Sequence, residues 1–428
     1  MINDAPFDQS LVPAGILAAD VGALASEFGT PLFVYDEDHL RTRCREYVRC
    51  FGRDAVAYAA KAFLCTAMAR LVHEEGLHLD AATGGELFVA LNAGFPAARI
   101  VLHGNNKSEA ELRTALDAGV GRIVVDSFDE LDRLEALAAG RATPPNVLVR
   151  VTPGVEAHTH EFIETGTEVS KFGFSVAAGP ALEAAKRVVA SDALRFVGIH
   201  CHIGSQVERL DAYARTVEIV SGLALDIAQT TGQHVAELNV GGGLAARYLA
   251  EDPHVGVAEY ASALLDTLAN AWPVAAGDLP RLMVEPGRSI VAAAAITVYR
   301  VGTVKEIPGV GTYVAVDGGM SDNPRPVLYG AGYEAFLPDR IGEARPLPCS
   351  VVGKHCEQGD VIVPGARLPA DVRVGDLLAT PTTGAYGYSM ASNYNKVPRP
   401  AVVFLRGGKA RVVVARETPE DLVRLDQG

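Results

Sequence analysis

The sequence predicts an α/β protein: a (β/α)8 barrel of the TIM type followed by a C-terminal, mostly β domain of sandwich or barrel form. Three observations predict it. Eight short β-like runs alternate with helix-like segments. Polar side chains collect at the C-terminal ends of those runs, and after about Ile290 the texture changes to β-like segments separated by Gly and Pro. An open doubly wound sheet is the competing arrangement, but the Gly-rich fingerprint that normally follows its first strand is missing.

The eight runs are, in order, "AVAYAAK" from Ala55, "LHLDAAT" from Leu77, "RIVLHG" from Arg99, "RIVVDS" from Arg122, "NVLVRVTP" from Asn146, "FVGIHCHIG" from Phe196, "ELNVGGG" from Glu237 and "RLMVEPGR" from Arg281. Between them lie helix candidates such as "GGELFVALNAG" (Gly84–Gly94), "SEAELRTALDAG" (Ser108–Gly119) and "SFDELDRLEALAAG" (Ser127–Gly140). Each carries apolar residues at three- and four-residue steps and closes on Gly. Beyond the barrel, "TVYRVGTVKEI", "GTYVAVDGG", "DVIVPGARL", "DLLATP", "PAVVFLRGG" and "ARVVVARE" predict strands of the second domain.

A (β/α)8 barrel gathers its functional groups where the strands end. Lys61 closes the first run, His103 the third and Asp126 the fourth, while Arg150 lies in the fifth. His200 and His202 end the sixth, Gly241 to Gly243 the seventh, and Glu285 and Arg288 the eighth.

Composition narrows the function classes. With 428 residues, 49% of them hydrophobic, the chain can bury two cores. A net charge of -14 disfavours nucleic acid and anionic membranes as partners. No apolar run approaches the roughly 18 residues of a membrane helix. The opening "MINDAPFDQSLVPAG" lacks the basic start and apolar run of a secretory signal, which predicts a cytoplasmic protein. The six cysteines show no CxxC spacing, so neither a zinc site nor a disulfide framework is expected. Cys356 stands apart in the polar setting "KHCEQGD".

A buried lysine at a strand end loses hydration and becomes a candidate amine nucleophile; the plainer alternative is a head that reaches solvent. "NVGGGL" offers backbone N–H groups with no Cβ in the way, which suits a phosphate, although triple glycines also make ordinary turns. Strand alternation sets His200 and His202 on one face and Cys201 on the other, so a metal site using all three is not expected. Glu285 and Arg288 in "VEPGRSI" make an ion pair on the simplest view. With an aldehyde cofactor at Lys61, Glu285 gains a sharper role, keeping the pyridine nitrogen of pyridoxal phosphate protonated.

"YAAKAF", "HGNNKS", "EAHTHEFI", "SKFGF", "HIGSQ", "GGGL", "EPGR", "DGGMSDNPRPVLYG", "CEQGD" and "GAYGYSMASNYN" occur in this order over nearly the whole chain. Together they resemble the diaminopimelate decarboxylases, which sit with ornithine and arginine decarboxylases among the barrel-type pyridoxal-phosphate enzymes. The resemblance implies decarboxylation of meso-2,6-diaminopimelate to L-lysine and carbon dioxide, the last step of lysine biosynthesis. It implies that Lys61 carries pyridoxal 5'-phosphate as a Schiff base, that His202 stacks on the ring and that Glu285 faces its nitrogen. Ser205, Gly241, Gly242, Gly243 and Tyr386 would hold the phosphate. Arg288, Arg325 and Tyr329, with Tyr386 beside them, would bind the distal carboxylate, and Glu357 the distal ammonium with Gln358 next to it. Cys356 would protonate the carbanion. The family's homodimers share their active sites by exchanging the Cys–Glu pair. Its structures recruit the first thirty-odd residues into the β domain, which sets the barrel at residues 36–290 and the β domain at 1–35 and 291–428.

Two departures bear on substrate. Gln358 stands where the family usually has Ser, and Asn239 where it usually has an acid before the glycines. They leave open a related decarboxylase acting on another amino acid. A racemase of the same barrel type is disfavoured by "HCEQGD" and the paired arginines. An ornithine-type enzyme would favour a distal carboxylate rather than Arg288, Arg325 and Tyr329. A catalytically inactive paralogue that binds a partner would be free to lose the lysine and the glycines, and this chain keeps both.

Overall fold

The computed structural model describes residues 5–155 and 170–428; the motif "EAHTHEFI", from Glu156, lies outside the described residues. The chain divides into one unit of Arg43–Ala245 and His254–Ser289 and another of Met1–Thr42, Ala246–Pro253 and Ile290–Gly428.

In the first unit eight parallel strands follow one another around a sheet: β1 (Ala57–Ala59), β2 (His78–Ala81), β3 (Ile100–Leu102), β4 (Arg122–Val125), β5 (Asn146–Thr152), β6 (Arg195–Cys201), β7 (Glu237–Asn239) and β8 (Arg281–Met283). The sheet closes on itself. Val56 and Val284 form a parallel bridge, with Ala57 N donating to Val284 O at 2.9 Å and Val284 N to Ala55 O at 2.9 Å. Among the described residues seven helices connect the strands: α1 (Thr66–Glu74), α2 (Gly84–Asn92), α3 (Glu109–Ala118), α4 (Phe128–Ala138), α5 (Pro180–Ala190), α6 (Leu210–Thr231) and α7 (Val257–Ala271). Their ends follow from local chemistry. Ser108 and Glu111 form a reciprocal capping box at the start of α3, and Gly119 ends it in the left-handed conformation (φ 71°).

Strand register sorts the side chains by layer. Asp80 pairs with Val101, Leu148 with Gly198, Arg150 with His200, and His200 with Asn239, so each pair shares one face. Ala57, Val101, Val124 and Leu148 pack together as an apolar layer. Two residues further along their strands stand Ala59, His103, Asp126 and Arg150. The period of two therefore converts an apolar interior into a polar belt at the C-terminal end.

The second unit is built on an eight-stranded mixed sheet. Leu32–Asp36 lies at its centre, antiparallel to Ala295–Ile307 and parallel to Ala401–Arg406. Gly311–Val316, Leu347–Val352 and Val361–Leu368 extend the sheet on one side, Lys409–Val414 ends the other, and Leu377–Pro381 pairs with Ala295–Ile307. Phe7, Leu11, Ile16, Leu32, Val298 and Val403 are among the residues of its core. Ala246–Pro253, which by position in the chain falls inside the barrel, groups with this unit through its side chains. Arg247 pairs with Asp8 at 2.8 Å, and the Tyr248 ring lies 4.4 Å beneath the Arg325 guanidinium.

Candidate active site

Asp80, His103, Asp126, Arg150, His200, Asn239 and Glu285 are all buried at the C-terminal ends of the barrel strands. Burial of so many polar groups costs free energy unless each finds a partner. Glu285 is the hub. His103 Nε2 lies 2.8 Å from its Oε1, Asn239 Nδ2 donates to the same oxygen at 2.7 Å, and His200 Nε2 lies 3.0 Å from Oε2. Burial pushes the Glu285 carboxyl up, but His103 and His200 outweigh it and hold the group well below the usual carboxylate range. Burial brings His200 down to about 4, against the pull of Glu285, so its imidazole is neutral near pH 7. Its Nδ1 is buried without a hydrogen-bond partner, as expected of an unprotonated nitrogen whose proton sits on Nε2.

His103, His200 and Glu285 bring three ligand-type atoms within 4.8 Å of one another. Those imidazole nitrogens are turned onto the carboxylate and hydrogen-bond it. Behind it, His103 Nε2 is 3.6 Å from Asp80, whose carboxyl is pushed up by burial. Arg150 Nε is 3.8 Å from Asp126, and its guanidinium lies 4.3 Å over the Phe172 ring of the "SKFGF" motif.

The glycines after β7 meet this network from above. Gly241 has φ 71°, and a Cβ on Gly242 would stand 2.1 Å from the Glu285 carbonyl oxygen, so neither position admits an ordinary side chain. Gly241 N–H donates to Asn239 Oδ1 at 2.9 Å, and Gly242 N–H to His202 Nδ1 at 3.3 Å. His202 is half-buried; burial, Lys61 and Arg150 hold its imidazole well below the usual range. Arg288 donates to Ser205 Oγ from Nε at 3.2 Å and from Nη2 at 2.9 Å. The structure thus brings His202, Gly241, Gly242 and Glu285 together and sets Arg288 on Ser205, and Lys61 acts electrostatically on His202 and Asp80.

Of the two readings of Lys61, the structure favours the one that reaches solvent: the residue is exposed and stands in the turn Ala60–Ala62 after β1.

In the β unit, Arg325 is buried and held by aromatic rings. Its guanidinium lies 4.4 Å over Tyr248 and 5.5 Å over Tyr333, and Nη1 donates to the Tyr333 hydroxyl at 2.6 Å. Among the described residues no carboxylate pairs with it, and its buried Nε has no hydrogen-bond partner. Tyr329 ends the same short helix, Arg325–Tyr329, and Tyr386 acts electrostatically on the guanidinium. Tyr386 itself has φ 59°, a conformation uncommon for a bulky residue.

Cys356, Glu357 and Gln358 are exposed on a turn that the unit braces from below. Asp360 accepts from His355 N at 2.8 Å and Met320 N at 2.7 Å, Asn395 Oδ1 accepts from Cys356 N at 3.1 Å, and Tyr394 donates to Glu357 at 3.2 Å. Sequence reasoning missed Asp80, Asn395 and the tyrosines around Arg325. Asp80 sits inside the strand run "LHLDAAT", where an acid among apolar residues was the available signal.

A pyridoxal-type cofactor fits this set of groups. A buried carboxylate supplied only with imidazole and amide donors suits a protonated ring nitrogen, and the Cβ-free turn at Gly241 and Gly242 leaves room beside it. The comparisons point the same way. A family profile described as "Pyridoxal-dependent decarboxylase, pyridoxal binding domain" matches residues 37–292, which defines the class as a barrel-type pyridoxal-dependent decarboxylase. The diaminopimelate decarboxylase of Mycobacterium tuberculosis is 52% identical over 94% of this chain and 92% of its own, and that of Bacillus subtilis 48% over 94% and 92%. The crystal structure of diaminopimelate decarboxylase from Helicobacter pylori complexed with L-lysine superposes with a TM-score of 0.87 at 32% identity, covering 95% of this chain and 99% of that one. Within its class, the chain belongs to the diaminopimelate decarboxylase family.

Proposed function

We propose that this protein decarboxylates meso-2,6-diaminopimelate to L-lysine and carbon dioxide with pyridoxal 5'-phosphate. The observation that carries the reading is Glu285: a buried carboxylate held by two imidazoles and an amide, at the barrel end that also bears Lys61. When bound, pyridoxal phosphate supplies an aldehyde that condenses with amines and a ring that takes up the electron pair left as carbon dioxide departs.

The chain's own residues do the rest. Lys61, exposed in the turn after β1, would anchor the aldehyde and give way to the substrate amine. Glu285 would keep a proton on the ring nitrogen, His202 would hold the ring, and Ser205, Gly241, Gly242, Gly243 and Tyr386 would hold the phosphate. Arg325 and Arg288, with Tyr329, bind the distal carboxylate: the buried Arg325 guanidinium, which meets no carboxylate among the described residues, is an anion receptor in an acidic protein. Glu357 takes the distal ammonium beside Gln358, and the Cys356 thiol delivers the proton that replaces carbon dioxide.

The exposure of Cys356 and Glu357 supports a homodimer in which each chain lends this turn to the other's site. Among the described residues no helix is long and apolar enough to cross a membrane, and we place the enzyme in the cytoplasm. Gln358, in the family's usual serine position, favours one second reading, a related amino acid as substrate.

Incubating the cofactor-loaded protein with meso-diaminopimelate and measuring lysine and carbon dioxide separates these readings, with Lys61→Ala as the blank. Lysine release by the wild type and none by the variant is expected. A protein that shows the visible cofactor band yet releases no lysine would overturn the substrate and turn attention to Gln358.

A further inference from the structure

Asn239 ends β7 with no exposed surface, and its amide orientation is fixed by its neighbours. The Gly241 N–H can only donate, so the atom 2.9 Å from it is the amide oxygen. The amide nitrogen then faces Glu285 Oε1 at 2.7 Å. We infer that Asn239 is a positioning residue that keeps Glu285 anionic through a donor unable to ionise, so that the charge at the pyridine end of the site does not change with pH. The inference rests on the proposed pyridoxal-phosphate reading for what Glu285 meets, but not for the proton count at the Asn239–Glu285 contact.

An aspartate at this position would behave differently. One of its oxygens would still accept from Gly241, leaving the other against Glu285 Oε1 at hydrogen-bond distance. Two carboxylates that close share a proton at low pH and repel once it is lost. Of the groups facing the contact, His200 is neutral and fixed on the other oxygen, and the His103 Nε2 that serves Oε1 also lies 3.6 Å from Asp80. Arg150 is turned toward Asp126, and Cys201, on the opposite face of its strand from His200, has its thiol pushed up to about 12 by burial. Lys61 and the weakly basic His202 complete the surroundings from the mouth.

The test compares Asn239→Asp and Asn239→Ser with the wild type from pH 5.5 to 9.5. In the loaded enzyme, Asn239→Asp should add one ionisation to the kcat profile and to the visible cofactor band, with KM little changed. Asn239→Ser, which removes the donor without adding a charge, should lower kcat at every pH and add no ionisation. The apoprotein gives a readout independent of cofactor. A buried acid whose folded pKa is raised contributes stability below its unfolded pKa and loses it as pH rises, so the melting temperature of Asn239→Asp should fall further below wild type at each higher pH. A pH-dependent melting difference in a protein that takes up no pyridoxal phosphate would sink the cofactor reading and leave this inference standing. Wild-type profiles and parallel melting curves in both variants would overturn it.

Discussion

Glu130 and Glu285 are both buried glutamates of the barrel unit, and they are satisfied in opposite ways. Glu130 meets an ammonium: Lys107 Nζ is 2.7 Å away and also donates to the carbonyls of Gly104 and Val124 at 2.7 Å each. Its second oxygen accepts from Asp126 N at 3.1 Å. Glu285 meets two imidazoles and an amide. A charge paired with an ammonium inside the chain holds the chain together, whereas one held by imidazoles and an amide stays available to an incoming cation. Arg325 repeats the second pattern with the sign reversed, since rings and a hydroxyl hold it where a carboxylate would cancel it.

The largest effect should come from breaking the structural pair. Lys107→Met strips the partner from a fully buried carboxylate, and a loss of about 3–5 kcal/mol in denaturant unfolding is expected. Lys107→Met combined with Glu130→Leu should recover most of it; if the double variant is as unstable as the single, the pair is not acting as a unit. Next, Arg325→Met should lower kcat/KM for diaminopimelate about 100-fold, roughly 2.7 kcal/mol, while changing unfolding free energy little. Tested on the same assay, Tyr333→Phe removes one hydrogen bond to Arg325 and should cost about 1 kcal/mol, seen mainly in KM.

Acid should act on the histidines. His200 and His78 are both brought down to about 4, chiefly by burial, with Arg99 and Arg122 also acting on His78. Between the unfolded pKa of 6.5 and about 4 the unfolded chain binds protons that the folded chain refuses. Stability is therefore full above that window and falls as pH drops through it, by up to about 1.4 kcal/mol per pH unit for each histidine. A melting temperature that stays flat from pH 7 to 5 would contradict neutral buried histidines.

Much of the site was legible because a strand's period of two leaves a record in sequence. His103, Arg150, His200 and Glu285 each interrupt an apolar run, and each proves to lie in one belt. Partnership was less legible than position. Nothing in "VEPGRSI" tells that Glu285 is met by His103 from β3 and Asn239 from β7 rather than by Arg288, because those contacts join residues up to 182 positions apart. Lys61 shows a limit of local pattern: a run read to Lys61 ends as a strand at Ala59, and the residue stands exposed in the turn that follows. The Leu32–Asp36 strand was hidden for another reason. Its neighbours in the sheet, Ala295–Ile307 and Ala401–Arg406, come from the other end of the chain.

The contrast between the two glutamates is tested most directly by making Glu285→Gln and Glu130→Gln and measuring, for each, apoprotein unfolding free energy and lysine formation from meso-diaminopimelate. Glu285→Gln should stay within about 1 kcal/mol of wild type in stability and lose at least about 100-fold in kcat, while Glu130→Gln should lose about 3 kcal/mol or more and keep kcat in its folded fraction. A Glu285→Gln protein that unfolds as readily as Glu130→Gln yet turns over normally would contradict the account.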